Sequence, residues 1–72
     1  MKRKRELIHF LNQHTGIRVW NRHWRDGEYM IPDGSYIDAP GGIEISGKNH
    51  KGENVRKRLR VQDLFLWEEY YG

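Results

Sequence analysis

The sequence contains no cysteine, only two prolines and no long apolar run. Without cysteine the chain can form neither a disulfide framework nor a thiolate zinc site, which favours a protein of the reducing cytosol. No apolar stretch approaches the ~20 residues that span a bilayer. The basic start, Lys2 to Arg5, is followed by a segment too polar for the hydrophobic region of a signal peptide. We therefore expect a cytoplasmic protein.

The chain is also short, with 72 residues of which 36% are hydrophobic. A domain of this size buries only about 60% of its unfolded surface, which leaves little room for a deep substrate pocket. No two of the four histidines are spaced four residues apart, as a helical metal site would require. We therefore expect one small domain that is not an enzyme and has no cofactor or metal.

Charge is distributed in blocks along the chain, although the net charge is only +3. Residues 1–25 carry seven Lys or Arg against one acid, and residues 47–62 carry six against one. The segment between them, residues 26–46, has five acids and no Lys or Arg. This pattern is typical of a protein with one basic face, and such a face attracts nucleic acid. The alternative is ordinary solvated surface.

The N-terminal third predicts two helices separated by a turn. Leu7, Phe10 and Leu11 have helical spacing, which predicts a helix over Glu6–His14. Thr15-Gly16 interrupts the pattern. Ile17, Trp20 and Trp24 then form an apolar stripe that predicts a second helix over Ile17–Asp26, closed by Gly27.

The rest of the chain predicts a turn-rich link, a hairpin and a terminal helix. Two short strands, over Glu28–Ile31 and Tyr36–Ile37, interrupt the link. Ile43–Ser46 and Val55–Val61 alternate with period two and are joined by a polar, basic connection, which predicts a β-hairpin. The spacing of Leu64, Trp67 and Tyr71 predicts a helix over Asp63–Tyr71.

This order of elements predicts an α+β winged helix-turn-helix fold, with two N-terminal helices, a β-hairpin wing and a C-terminal helix. Residues 1–5 would form a basic N-terminal arm and residues 6–72 the single winged-helix domain. In such a fold the second helix lies in the DNA major groove and the wing reaches an adjacent groove. The candidate DNA-binding residues are Arg18, Asn21, Arg22 and Arg25 on the recognition helix; Lys48, His50, Lys51, Arg56, Arg58 and Arg60 on the wing; and Lys2, Arg3, Lys4 and Arg5 in the arm.

Two segments carry a resemblance to a known family. Arg58-Leu59-Arg60-Val61-Gln62-Asp63-Leu64-Phe65-Leu66-Trp67 resembles the closing segment of small phage excisionases and related winged-helix domains. Trp20-Asn21-Arg22-His23-Trp24-Arg25-Asp26-Gly27 stands where that family has its recognition helix. The resemblance implies a recombination directionality factor. Such a protein binds double-stranded DNA beside an attachment site, bends it and assists an integrase, with cooperative self-association on the DNA; related proteins are transcriptional repressors.

Three alternatives remain open. The chain could be a small repressor of the same fold, or a phage inhibitor that binds a host protein, with Trp67, Tyr70 and Tyr71 as a partner surface. Trp20 and Trp24 could instead stack on the bases of a single strand. Their position beside Ile17 favours core packing over stacking. Steep weakening with salt would separate nucleic-acid binding from an aromatic protein interface.

Overall fold

A computed structural model describes residues 3–72 as one helix packed on a five-stranded antiparallel sheet. The strands follow the order β4-β3-β2-β1-β5 across the sheet. The elements in chain order are helix α1 (Lys4–His14), strands β1 (Val19–Asn21), β2 (Met30–Ala39), β3 (Gly42–Asn49) and β4 (Asn54–Arg60), a 3₁₀ helix (Val61–Leu66) and strand β5 (Trp67–Glu69).

The hydrophobic core lies between α1 and one side of the sheet, which we call the inner face. Leu7 and Leu11 lie one turn apart on α1, and both side chains are fully buried. The predicted N-terminal helix is thus confirmed, with its start at Lys4. The core is completed by apolar side chains of the strands: Val19, Met30, Ile43, Ile45, Leu59 and Trp67.

Strands β2, β3 and β4 form a meander with tight connections. Pro40 and Gly41 occupy the two-residue turn between β2 and β3, and Gly41 has a φ of +77°, which glycine adopts without strain. The predicted hairpin is confirmed in the pairing of β3 with β4, where Ile43 lies opposite Leu59. Asn49 closes its short turn by accepting hydrogen bonds from the amides of Lys51 and Glu53, both at 2.9 Å.

The predicted second helix is wrong. Residues 19–21 are strand β1, and the chain then runs through turns to Met30. The Asn21 side chain accepts a hydrogen bond from the amide of His23 at 2.8 Å, a local bond that competes with helix formation. Val19 and Trp20 are β-branched and aromatic, and such residues favour a strand when neighbouring strands are present.

The predicted C-terminal helix is also wrong. Helical turns end at Leu66, and Trp67–Glu69 pair with β1, so that Asn21 lies opposite Trp67 and Val19 opposite Glu69. The predicted winged helix-turn-helix fold is therefore wrong. The chain has a single α-helix in its described part, and the two expected flanking helices are replaced by two short strands that pair with each other.

Strand β2 replaces the two short strands that were expected in the link. Its pairing with β3 shifts between Pro32 and Tyr36, where residues 33–35 bulge out of the ladder. Asp33 stabilises the bulge by accepting hydrogen bonds from the amide and the hydroxyl of Ser35. The turn signal at Pro32-Asp33-Gly34 thus marks a bulge within one long strand.

One feature of the fold bears on the environment of the protein. Along residues 3–72, no helix is both long enough and apolar enough to cross a membrane.

Candidate nucleic-acid interface

Strand alternation places Arg18 and Trp20 on the outer face of the sheet, on the side away from α1. Val19 is fully buried between Met30 and Glu69, so its two neighbours must point to the opposite side. The amide of Tyr70 donates to the carbonyl of Arg18 at 2.8 Å, which extends the β1–β5 pairing by one residue. Tyr70 is thereby brought next to Arg18 on the same side.

Four ring-bearing side chains gather around Arg18. The rings of Tyr29 and Tyr70 are stacked with centroids 5.2 Å apart, and Trp20 meets Tyr70 edge-on at 5.3 Å. The imidazole of His50 lies 6.0 Å from the centre of the Tyr29 ring. The Arg18 guanidinium lies over the same Tyr29 ring, 5.0 Å from its centre. We call these five residues the aromatic face. Trp20, Tyr29 and Tyr70 are half-buried, whereas Arg18 and His50 are exposed.

Hydrogen bonds to acidic side chains orient two of the rings. The indole N–H of Trp20 donates to Glu68 at 3.3 Å, and the Tyr70 hydroxyl donates to Asp26 at 3.5 Å. Glu68 also lies 3.9 Å from the Nε atom of Arg22. The polar atoms of these two rings are therefore satisfied within the protein, so a ligand would contact them through their apolar surfaces.

The four residues assigned to a recognition helix are dispersed. Arg18 belongs to the aromatic face, and Asn21 stabilises the turn after β1. The Arg22 guanidinium donates to the carbonyl of Phe65 at 2.8 Å and so ties that turn to the 3₁₀ helix. Arg25 lines a shallow depression of about 420 Å³ together with His50 and Lys51, and acids at 26 and 28 share its wall. The assignment to one helical face is wrong, because β1 and a turn occupy this segment.

The residues assigned to the wing divide into three groups. His50 and Lys51 lie in the β3–β4 turn beside the aromatic face, and Lys48 donates to the Asn54 side chain at 3.1 Å. Arg56 and Arg58 point outward from the edge strand β4, where Arg58 lies opposite Glu44 and Arg56 is 3.9 Å from the same carboxylate. Arg60 is bound to Asp63 at the start of the 3₁₀ helix.

The described residues of the arm, Arg3 to Arg5, lie apart from the aromatic face. Arg3 is the N-cap of α1, and Lys4 and Arg5 form its first turn. The ammonium group of Lys4 forms an ion pair with Asp38 at 3.1 Å. Lys2 lies outside the described residues. Helix α1 covers the inner face, so these cations are on the other layer of the protein.

The sequence interpretation missed Tyr29 and left Tyr70 as a residue of a frayed end or a partner surface. Each tyrosine is an odd number of positions from a buried residue: Tyr29 directly precedes Met30, and Tyr70 follows Trp67 by three positions. That alternation signals two outward-facing aromatic residues once the segments are read as strands. The two tryptophans considered for base stacking lie in different places. Trp20 lies on the aromatic face, and Trp24 packs on the core.

Among residues 3–72, no group of three or more His, Asp or Glu side chains that could hold a metal ion is found. Comparison with protein-family models, with curated proteins and with solved structures finds no match to this chain.

Proposed function

We propose that the protein binds single-stranded nucleic acid across the aromatic face. The observation that carries the proposal is the group of three half-buried rings on the outer side of a sheet, with the Arg18 guanidinium at 5.0 Å from one of them. Exposed aromatic rings on a sheet surface form a stacking platform for bases, and neighbouring cations contact the phosphates.

Each component of the face has a distinct part in this function. The rings of Trp20, Tyr29 and Tyr70 offer apolar surface to bases, and stacking contributes about 1–3 kcal/mol per base. Arg18 and Lys51 supply positive charge at the border of the rings, and Lys48 extends that charge along β3. Glu68 and Asp26 accept hydrogen bonds from the polar ends of two of these rings and hold the rings in position.

A single strand suits this surface better than a duplex. The faces of the bases are hidden in a double helix, so rings can stack on them only in an unpaired strand. The excisionase role, the integrase contact and duplex DNA as partner stay predictions on which this proposal does not depend. A nucleic-acid partner implies a cytoplasmic protein, at the nucleoid if that partner is chromosomal.

The proposal is tested by fluorescence anisotropy with labelled single-stranded DNA and RNA decamers and a duplex of the same sequence. We expect both single strands to bind more tightly than the duplex. The variant Tyr29→Leu retains apolar volume but removes the ring, so it should weaken binding by roughly 5- to 100-fold.

The matched control is Tyr36→Leu, which removes an exposed tyrosine of β2 that lies outside the aromatic face. It should leave the affinity unchanged, and thermal unfolding shows whether both variants fold. Equal losses in the two variants, or tighter binding of the duplex, would contradict the proposal. Binding of neither nucleic acid would favour the protein-inhibitor alternative.

A further inference from the structure

The bulge in β2 creates a surface depression beside the aromatic face. Gly47 lies opposite Pro32, and a Cβ atom at Gly47 would collide with the carbonyl oxygen of Ile31, so the two strands approach closely here. Two adjoining depressions, of about 500 and 360 Å³, share Asp33, Gly47 and Asn54 in their walls. We call them together the bulge pocket. Each volume is within the ~300–1,000 Å³ typical of small-molecule sites.

The walls of the bulge pocket combine apolar surface with hydrogen-bonding groups. Ile31 and Pro32 provide the apolar part, and Ser35, Ser46 and Arg56 surround the polar part. The Arg56 side chain is 70% exposed, and its only ionic partner among the described residues is Glu44 at 3.9 Å. This combination fits a flat, largely apolar ligand with a polar edge and a nearby negative charge.

Asp33 presents one carboxylate oxygen to the pocket. Its Oδ1 atom accepts hydrogen bonds from the Ser35 hydroxyl at 2.6 Å and the Ser35 amide at 2.9 Å. The hydroxyl and the amide of Ser35 hold the pKa of Asp33 below its usual value, so the group is an ionised acceptor at neutral pH.

Asn54 presents a donor to the same pocket. Its Oδ1 atom accepts a hydrogen bond from the ammonium group of Lys48 at 3.1 Å. That bond fixes the amide orientation, and the Nδ2 group remains as a donor. The residues that line both depressions of the bulge pocket therefore include an anionic acceptor, Asp33, and a neutral donor, Asn54.

The bulge pocket adjoins the aromatic face along two strands. Tyr29 directly precedes β2 and His50 directly follows β3, so continued alternation places Ile31 and Lys48, two residues away, on the same outer side. Ile31 lies opposite Lys48 in the ladder. A strand stacked on Tyr29 would thus have its next nucleotide above the bulge pocket.

We propose that the bulge pocket binds a guanine base of the strand that crosses the aromatic face. The Watson–Crick edge of guanine places an N–H donor, for the Asp33 carboxylate, beside an oxygen that accepts from the Asn54 amide. Uracil and thymine place a carbonyl oxygen on each side of their single N–H, and these oxygens repel a carboxylate. Hydrogen bonding to such edges is how proteins read unpaired bases. The inference rests on the proposed single-strand binding.

The main experiment compares labelled RNA decamers of uridine with decamers that carry one central guanosine, adenosine or cytidine. We expect the guanosine decamer to bind the protein at least tenfold more tightly than the uridine decamer. Asp33→Asn should abolish this preference, because the amide that replaces the carboxylate can turn its own donor toward the base, while its oxygen can still accept from Ser35.

The matched control is Asp38→Asn, which removes an acid from the same strand outside the pocket. It should retain the guanosine preference, and thermal unfolding checks that both variants fold. Equal affinity of wild-type protein for all four decamers would overturn the guanine site and leave the proposed function standing. A guanosine preference that survives in Asp33→Asn would overturn the role of the carboxylate.

A second measurement separates the two proposals. Guanosine 5′-monophosphate is titrated into ¹⁵N-labelled protein, with uridine 5′-monophosphate as the control, and backbone amide shifts are recorded. Shifts at Gly34, Ser35 and Gly47 with the guanosine nucleotide alone, together with decamer binding, would support the guanine site. The same shifts without binding of any decamer would overturn the stacking function and the recognition of guanine within a strand, and would leave only binding of the free nucleotide. If neither the decamers nor the nucleotide bind, both proposals are overturned.

Discussion

The ring of Tyr29 is stacked on the ring of Tyr70, with 5.2 Å between the centroids and 23° between the planes. The two residues come from opposite halves of the chain, and the contact holds the segment after β5 against the middle of the sheet. Trp20 meets the same Tyr70 ring edge-on. The aromatic face therefore exists only when β5 is paired with β1.

Tyr29 and Tyr70 should be energetically coupled. In a double-mutant cycle with Tyr29→Ala and Tyr70→Ala, we expect a coupling free energy of about 0.5–1.5 kcal/mol from urea unfolding, as for other aromatic pairs. Tyr71, which is 85% exposed, provides the control, and Tyr71→Ala should change stability by less than about 0.5 kcal/mol. Strictly additive effects of the Tyr29 and Tyr70 variants would contradict a stabilising contact.

Trp24 should be a major contributor to stability. Its ring meets the buried Trp67 edge-on at 5.1 Å, and the ammonium group of Lys57 lies 5.3 Å from its centre. Trp24→Ala should lower the free energy of unfolding by about 3 kcal/mol, near the low end for large aromatic residues because Trp24 is only half-buried. Phe65 is 63% exposed, and Phe65→Ala should have little effect in the same urea titration. Equal effects of the two variants would place Trp24 on the surface.

Gly47 should be intolerant of a side chain. A Cβ atom at this position would collide with the backbone of Ile31 and Pro32, which cannot move without breaking the β2–β3 pairing. We expect Gly47→Ala to destabilise the protein by more than about 3 kcal/mol or to prevent folding. At Gly52 the space is open and only the positive φ of +78° opposes a side chain, so Gly52→Ala should cost about 1 kcal/mol. Circular dichroism during thermal unfolding compares the two, and a well-folded Gly47→Ala would refute the close approach.

Stability at low pH should depend on the Asp33–Ser35 hydrogen bonds. The pKa of Asp33 in the folded protein lies below its value in the unfolded chain, mainly because the Ser35 hydroxyl donates to the carboxylate. The unfolded chain therefore takes up the proton first as pH falls. The contribution is fully present above the unfolded pKa of about 3.9 and is lost as pH falls through the folded pKa.

Ser35→Ala isolates this contribution, because it removes the hydroxyl donor but keeps the backbone amide. We expect the variant to melt at a lower temperature than wild type at neutral pH, and the difference to shrink as pH is lowered toward 2. Melting temperatures at a series of pH values measure it. A difference that is constant from pH 6 to 2 would show that the Ser35 hydroxyl does not act through the ionised carboxylate.

The cations beside the aromatic face should control the salt dependence of binding. Each phosphate contact to a single strand contributes about −0.7 to the slope of log affinity against log salt concentration. Lys51→Ala should lower the affinity for every decamer and make this slope shallower by roughly that amount. Arg5→Ala alters a cation of α1, on the other layer, and should leave the slope unchanged. Similar slopes for wild type and Lys51→Ala would exclude Lys51 from the interface.

Local sequence signals were sufficient for several elements. The spacing of Leu7 and Leu11 predicts α1, because a helix is defined by contacts within one segment. The alternation around Leu59 predicts the β3–β4 hairpin and the outward direction of Arg56 and Arg58 in the same local way, and Pro40-Gly41 marks the turn between β2 and β3. The two basic segments are also evident from the sequence, since charged residues can be counted along the chain without knowledge of the fold.

Tertiary structure decided the remainder of the fold. Strands β1 and β5 have three residues each, too few for a period-two pattern to stand out, and each is stabilised by pairing with the other across most of the chain. The spacing of Ile17, Trp20 and Trp24 is that of one face of a helix, yet Trp20 and Trp24 lie on different sides of the sheet.

The candidate site also depends on tertiary structure. The sequence by itself determined that cations and aromatic residues are present in quantity, together with the helix and the hairpin that local contacts define. Only the pairing of β5 with β1 placed Tyr70 beside Arg18, and only the bulge in β2 placed Asp33 beside Asn54. The physical reason is that both arrangements depend on contacts between residues distant in the chain, which propensity and periodicity within one segment cannot encode.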